Sequence, residues 1–204
     1  NQNRTSMKTT LLVVGRTVEQ HFITAINDYV QRTKRYLSFE MEVIPELKNT
    51  KSLSMEVQKE KEGELILKAL QPGDVVVLLD EGGKEMRSIE FADYMKRKMN
   101  TVNKRLVFII GGPYGFSPKV YEAAHEKMSL SRMTFSHQMV RLIFVEQLYR
   151  AMTIMNDKFQ LRDTWNPLSE SDISTNLALG FGTFSVKVSR MRRAACESLA
   201  TIYR

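Results

Sequence analysis

The residues LVFII at positions 106–110 run directly into GGPYG at positions 111–115. An unbroken apolar run of this length predicts a strand buried on both faces, which is typical of the centre of a parallel sheet. Two similar runs, TTLLVV at 9–14 and VVVLL at 75–79, end at a glycine and at a charged, glycine-containing stretch. The sequence therefore predicts three central strands of one sheet.

Segments with helical periodicity separate these strands. One helix is predicted from about residue 18 to 34, with Val18 and Ile26 on its apolar side. Another is predicted over 54–70, with Val57 and Ile66 among its apolar contacts. Between the two helices, residues 39–44 alternate apolar and acidic side chains, and this alternation predicts a half-exposed strand.

Capping signals place the remaining helices. Ser88 is predicted to cap the third helix, and Ser117 followed by Pro118 opens a fourth helix that reaches about residue 127. A long final helix is predicted from about 137 to 155. Strands and helices that alternate at this spacing predict an α/β fold, with a mostly parallel sheet and helices on both of its faces. Ligands of such sheets bind at the carboxyl ends of the strands.

The composition excludes several classes of protein. The 204 residues carry a net charge of +7, which is compatible with a phosphate-rich partner but does not require one. A single cysteine, Cys196, excludes an intrachain disulfide and a cysteine-based zinc site, and three scattered histidines give no metal cluster. No apolar run is long enough for a membrane span. We therefore expect a cytoplasmic protein with no metal, and we interpret residues 1–6 as an upstream extension or an artificial remnant.

Three segments carry residues that could take part in ligand binding or catalysis. The adjacent glycines at 111 and 112 expose backbone to a ligand or form a plain turn, and the stretch 80–84 is a pocket wall or a solvated loop. His137 and Arg141 lie four residues apart on the final helix, either as an RNA-binding active-site pair or as an ordinary surface pair. Tyr149 and Arg150 stack on a base or pack within the fold, and packing is the interpretation we favour.

Taken in order, these segments match one family. They are Leu79-Asp80, FIIGGPYGF at 108–116, LSRMTFSHQMVR at 130–141 and EQLYRA at 146–151. Residues 10–15 and the KEKEG segment at 59–63 fit as well. In this combination the chain resembles, over residues 7–155, the large-subunit ribosomal RNA methyltransferase H family of the SPOUT superfamily.

The resemblance implies a SPOUT fold, in which the C-terminal part of the sheet forms a trefoil knot around an S-adenosylmethionine pocket. It also implies a homodimer that methylates ring nitrogen 3 of a pseudouridine in the large-subunit rRNA of assembled ribosomes. His137 and Arg141 are then expected beside the target base. The cofactor contacts carried over by motif are Leu79, Gly111, Leu130, Ser131, Arg132, Met133, Thr134 and Phe135.

The resemblance stops near the end of the final helix. Members of the family finish with a short tail ending in Tyr-His, whereas residues 156–204 are an unmatched C-terminal extension of unknown structure. A translated frameshift, a fused small domain and an artefact are the three explanations, and we favour the frameshift or the artefact. The altered C-terminus keeps a second function open, that of a catalytically silent RNA-binding or ribosome-associated module.

Overall fold

A computed structural model describes residues 7–48 and 50–156. The proposed N-terminal extension, residues 1–6, lies outside the described residues, as does the C-terminal extension after Asn156. Five strands form one sheet in the order β2-β1-β4-β3-β5, and every neighbouring pair is parallel. The strands are β1 (Lys8–Val14), β2 (Ser38–Ile44), β3 (Val75–Glu85), β4 (Arg105–Ile110) and β5 (Glu126–Ser129).

Five α-helices cover the two faces of the sheet, and the predicted α/β class with helices on both faces is confirmed. Side chains alternate along each strand, so Leu11 and Val13 enter one core cluster and Leu12 and Val14 enter the other. Helices α1, α3 and α5 contribute to the first cluster and α2 and α4 to the second. The helices are α1 (Gln20–Thr33), α2 (Met55–Ala69), α3 (Ser88–Thr101), α4 (Pro118–Ala123) and α5 (His137–Met155).

The region after β4 differs from the sequence prediction. Helix α4 ends at Ala123 rather than near residue 127, and the next residues form β5 at the edge of the sheet beside β3. Packing decides this change, because Met128 is buried in the core and His125 is tied to β3 by a hydrogen bond from the Val76 amide to its Nδ1, 3.1 Å. The prediction of a longer α4 was therefore wrong.

Smaller corrections concern β3 and three single residues. Strand β3 continues through the stretch predicted as a loop, with a register shift between Leu79 and Lys84. Val18 precedes α1 and is 75% exposed, and Val57 is also exposed, so neither belongs to an apolar helix face. Ser88 is the first residue of α3 rather than its cap. Arg87 occupies the cap position, and its amide donates to the Glu90 carboxylate, 2.7 Å.

Gly83 brings β3 into close contact with β5 beyond the register shift. A Cβ added at Gly83 would lie 2.5 Å from the carbonyl carbon of Met128, and backbone cannot move aside as a flexible side chain can. We expect Gly83→Ala to lower the free energy of unfolding by about 1–3 kcal/mol, the usual cost of overpacking. Urea titration measures the change, and Gly82→Ala is the matched control because its nearest neighbour is the Asp80 side chain. Equal midpoints for the two variants would contradict the prediction.

The amino ends of the strands hold a buried ion pair. Arg105, the first residue of β4, donates from Nε to Asp74 Oδ1 at 3.0 Å and from Nη2 to Asp74 Oδ2 at 2.6 Å. Its Nη2 also donates to the Ala69 carbonyl, 3.0 Å, and the two charged side chains are 7% and 4% exposed. This pair ties the end of α2 to β4 and to the segment that enters β3.

Candidate active site

A cavity of about 640 Å³ opens at the carboxyl ends of β3 and β4. Its walls come from residues 79–82, 110–116, 129–131 and 133–135, from Tyr121, and from the first turn of α5. These segments meet because the strands are parallel: Leu79 and Ile110 are register partners, so β4 ends beside the point where the register of β3 shifts. The volume falls within the range of small-molecule sites in proteins.

Most of the residues predicted from the sequence line this cavity. His137 is among them, together with Leu79, Gly111, Leu130, Ser131, Met133, Thr134 and Phe135. Two predicted residues do not line it. Arg132 points to solvent and its Nε donates to the Glu85 carboxylate, 3.2 Å, while Arg141 is buried behind the wall.

The glycines after β4 leave bare backbone in the cavity wall. A Cβ at Gly111 would lie 2.9 Å from the Phe116 ring, and one at Gly112 would lie 2.2 Å from Glu62 Oε2. Gly115 has a φ of 77°, a left-handed conformation that other residues rarely adopt. Side chains are therefore excluded at three points of the loop, and a ligand meets peptide groups directly.

The segment between β5 and α5 is held by its own hydroxyl groups. The Ser129 hydroxyl donates to the Ser131 carbonyl at 2.9 Å, and the Met133 amide donates to Ser131 Oγ at 2.9 Å. Ser136 then caps α5, because its Oγ accepts from the Met139 amide, 3.3 Å. This order fixes the wall opposite the glycine loop and places His137 at the first position of the helix.

His137 lines the cavity and is exposed to solvent there. Partial burial lowers the pKa of His137 below its ordinary value, and the positive charge of Arg141 one helical turn later lowers it further. Both effects favour the neutral imidazole, which can accept a proton. The arrangement provides a neutral base at the edge of the cavity.

Arg141 is only 3% exposed and is engaged inside the fold. Its Nη2 donates to the Val14 carbonyl at 2.6 Å and its Nη1 to Thr17 Oγ1 at 3.0 Å, while Nε has no partner among the described residues. Burial lowers the pKa of the Arg141 guanidinium, although its charge is retained because the ordinary value is so high. Arg141 thus joins the start of α5 to the end of β1.

Two acidic residues, Asp80 and Glu81, also line the cavity, and the sequence did not single out either side chain. Asp80 accepts from the Gly82 amide at 2.8 Å and from the Tyr121 hydroxyl at 2.5 Å, so its carboxylate is fixed. Burial, and then the hydrogen bond to Asp80, raise the pKa of Tyr121 to about 12. This wall is negatively charged and suits a ligand that carries positive charge.

The tyrosine and arginine near the end of α5 pack within the fold, as the sequence interpretation favoured. The Tyr149 ring lies 5.9 Å from that of Tyr29, and Arg150 donates to the Glu146 carboxylate at 2.6 Å. In the part of the chain that the structure describes, no group of three or more His, Cys, Asp or Glu side chains is arranged to hold a metal ion. Across these same ranges, no helix has the length and apolarity that crossing a bilayer demands.

Comparison with known proteins identifies the fold family. A family model described as "Predicted SPOUT methyltransferase" matches residues 7–159. The chain belongs to this family. The predicted resemblance is thereby confirmed for the part of the chain that contains the whole cavity.

Two proteins with the same name are highly similar to this chain, and one solved structure is distantly similar to it. "Ribosomal RNA large subunit methyltransferase H" of Bacteroides thetaiotaomicron is 85% identical over 150 residues, which are 74% of this chain and 96% of that protein. The protein of the same name from Phocaeicola vulgatus is 82% identical over 151 residues, with the same shares covered. A probable methyltransferase from Bordetella pertussis, a solved structure, has a TM-score of 0.46 at 12% identity and covers 72% of this chain and 95% of its own.

Proposed function

We propose that this SPOUT methyltransferase uses S-adenosylmethionine to methylate ring nitrogen 3 of a pseudouridine in large-subunit ribosomal RNA, on the assembled ribosome. One observation carries the proposal, namely that residues 79–82, 110–116, 129–131 and 133–135 converge with His137 on one cavity. The relatives named for ribosomal RNA methylation support the choice of substrate. A cytoplasmic location follows from that substrate.

The cavity has the chemical features that S-adenosylmethionine requires. The donor combines a flat adenine ring, a ribose and a cationic sulfonium. The apolar walls at Leu79 and Leu130 suit the adenine ring, the bare backbone at Gly111 offers peptide groups to the ribose hydroxyls, and the fixed carboxylate of Asp80 suits the sulfonium. In our proposal the predicted residues Leu79, Gly111, Leu130, Ser131, Met133, Thr134 and Phe135 hold the donor, and Arg132 covers it from the rim.

S-adenosylmethionine supplies an activated methyl group when it is bound, so the protein has to align the acceptor, exclude water and receive one proton. The pseudouridine nitrogen carries that proton. His137 is the side chain placed to accept it, directly or through water, because it lines the cavity and its pKa favours the neutral form.

Arg141 acts in this proposal through His137, since its guanidinium donates to Val14 and Thr17 within the fold. Its charge keeps His137 neutral, and its anchoring fixes the first turn of α5. The place beside the target base that the resemblance implies for Arg141 would require the guanidinium to leave these partners. We therefore assign Arg141 a positioning role.

The titration of His137 tests this electrostatic assignment. We expect its ring protons to titrate with a midpoint below 6.5 in nuclear magnetic resonance spectra, so methyl transfer should slow only when the pH falls through that midpoint. Arg141→Met should raise the midpoint, although burial will keep it below 6.5. The spectrum of His137→Ala assigns the signals. A midpoint at or above 6.5 in the parent protein would contradict the prediction.

We also propose that the chain between Gly111 and α5 is threaded as a trefoil knot and that the protein is a homodimer. The strand order supports the trefoil knot, because β5 lies beyond β3 and α5 then returns to pack on α1 and α3.

Exposed apolar side chains near the cavity support the homodimer. Met133 is 73% exposed, Val18 is 75% exposed, and the Val18 amide donates to Gln138 on α5.

Labelled S-adenosylmethionine and ribosomes that lack the modification test the proposed function. We expect the full chain to transfer label to large-subunit rRNA, and mass mapping to place the methyl group on nitrogen 3 of a pseudouridine. Binding to ribosomes without transfer of label would instead favour the silent RNA-binding module. Label in another nucleotide would keep the enzyme and overturn the substrate.

A further inference from the structure

A buried carboxyl group lies directly behind the cavity wall. Glu62 on α2 is only 8% exposed, and its Oε2 has no hydrogen-bond partner among the described residues. A Cβ at Gly112 would lie 2.2 Å from Glu62 Oε2 and 3.0 Å from Oε1. Both oxygens therefore fill the space that a side chain at position 112 would need, and only the backbone of Gly112 separates them from the cavity.

The packing of α2 fixes this contact. The next residue, Gly63, lies against the N-terminal end of α4, because a Cβ there would lie 2.2 Å from Ser117 Oγ and 3.3 Å from the Val120 side chain. Helix α2 therefore presses on both ends of the segment 112–117. Movement of the Glu62 backbone away from Gly112 would require α2 and α4 to separate.

A buried carboxyl group without a partner contributes no stability that an apolar side chain of similar size would not. Burial raises the pKa of Glu62, and the negative charge of Glu46 after β2 raises it further. The other charged groups on the elements packed against α2 are Glu40 and Glu42 on β2, with Lys48 beyond it, and the exposed Lys119 and Glu122 on α4. Without a ligand, these surroundings shift the protonation equilibrium of Glu62 toward the neutral carboxyl, relative to an exposed glutamate.

We propose that Glu62 is a second, buried counter-charge of the sulfonium, in addition to Asp80 in the cavity wall: when the cationic donor enters the cavity, the Glu62 O–H bond breaks, the proton passes to solvent, and the carboxylate stabilises the donor through the bare backbone of Gly112. This inference rests on the proposed donor. The scale of the expected effect follows from general electrostatics, because two opposite charges about 10 Å apart at an effective dielectric constant of about 20 change an affinity by more than about tenfold.

The same charge distinguishes the donor from its product. Methyl transfer turns the sulfonium into the neutral thioether of S-adenosylhomocysteine, which a carboxylate behind Gly112 does not attract. Glu62 then takes its proton back, and the product loses the contribution of the counter-charge. The pair Glu62 and Gly112 therefore favours binding of the donor and release of the product.

Calorimetry on the full chain tests the inference, with S-adenosylmethionine and S-adenosylhomocysteine as probes between pH 5.5 and 8.5. The donor needs the ionised carboxyl, so we expect its affinity to rise with pH until free Glu62 is ionised. Titration in two buffers of different ionisation enthalpy should show proton release below that point. S-adenosylhomocysteine has the same amino and carboxyl groups, so a flat profile for it attributes the effect to the sulfonium.

Glu62→Gln should weaken binding of the donor about tenfold near neutral pH, abolish proton release and leave binding of the product unchanged. Glu64→Gln, on the exposed side of the same helix, is the matched control. Equal donor affinity for Glu62→Gln and the parent, or the same pH profile for both probes, would overturn the role of Glu62 and leave the proposed function intact. If the parent protein bound neither probe, the proposed donor would fail as well. The pH profiles of the two probes on the parent protein test the inference even if Glu62→Gln does not fold.

Discussion

Replacing His137 by Ala is expected to lower the single-turnover rate of methyl transfer by about 10²–10⁴-fold, the usual contribution of a positioned general base. The donor affinity should stay within a few-fold of the parent value, because the donor is assigned to the backbone of the three converging segments. Single-turnover assays with labelled S-adenosylmethionine and unmodified ribosomes measure the rate, and calorimetry measures the affinity.

His21→Ala is the matched control for this variant, since His21 is an exposed histidine outside the cavity wall. Added imidazole should restore part of the rate to His137→Ala, because a small base can enter the space that the ring leaves. A purely structural role for His137 predicts no such rescue. Equal rates for the two alanine variants would remove His137 from the mechanism.

The second large effect concerns stability. Asp74→Ala should lower the free energy of unfolding by up to about 3–5 kcal/mol, because the buried Arg105 guanidinium loses its bidentate partner and keeps only the part-exposed Glu42 carboxylate, 3.3 Å from its Nη1. The Gln71 amide also loses its acceptor, Asp74 Oδ2, at 2.8 Å. Urea denaturation followed by circular dichroism measures the change, and the slope with denaturant should stay the same.

Asp28→Ala provides the comparison at the surface. Asp28 pairs with Arg32 at 2.8 Å on α1, where both side chains are about half exposed, and solvent screening leaves such surface pairs little weight in the free energy of unfolding. Adding Arg105→Met to Asp74→Ala should recover part of the lost stability, since the buried charge is removed. If Asp74→Ala and Asp28→Ala lowered the free energy of unfolding by similar amounts, the buried ion pair would contribute no more to stability than the surface pair.

The central elements could be predicted because their sequences contain one dominant signal. The apolar runs of β1 and β4 are buried on both faces, and α5 begins at a serine cap and continues without a break. Strand β5 has only four residues of mixed polarity, so its existence depends on the edge that β3 offers. Val18 and Val57 show the converse, because helical spacing alone does not determine whether a side chain is covered.

The walls of the cavity followed from the family resemblance rather than from local chemistry. Periodicity placed Leu79 and Gly111 at the ends of strands, but it gave no reason for the segment 130–135 to meet them. Glu62 carried a readable signal, because it lies four residues before Ile66 on the buried side of α2. The depth of Arg141 carried none, since its partners Val14 and Thr17 are more than 120 residues away in sequence.

Strand β4 connects the buried ion pair at one edge of the sheet to the cavity at the other. It is buried along its whole length, with the Arg105 ion pair at its first residue and the cavity wall beginning at Ile110. Unfolding at either end of β4 should therefore unfold the other end in the same cooperative transition. A compound at about a hundred times its Kd adds about 2.7 kcal/mol to such a transition, so a dye-based melting assay can screen small molecules for occupancy of the cavity.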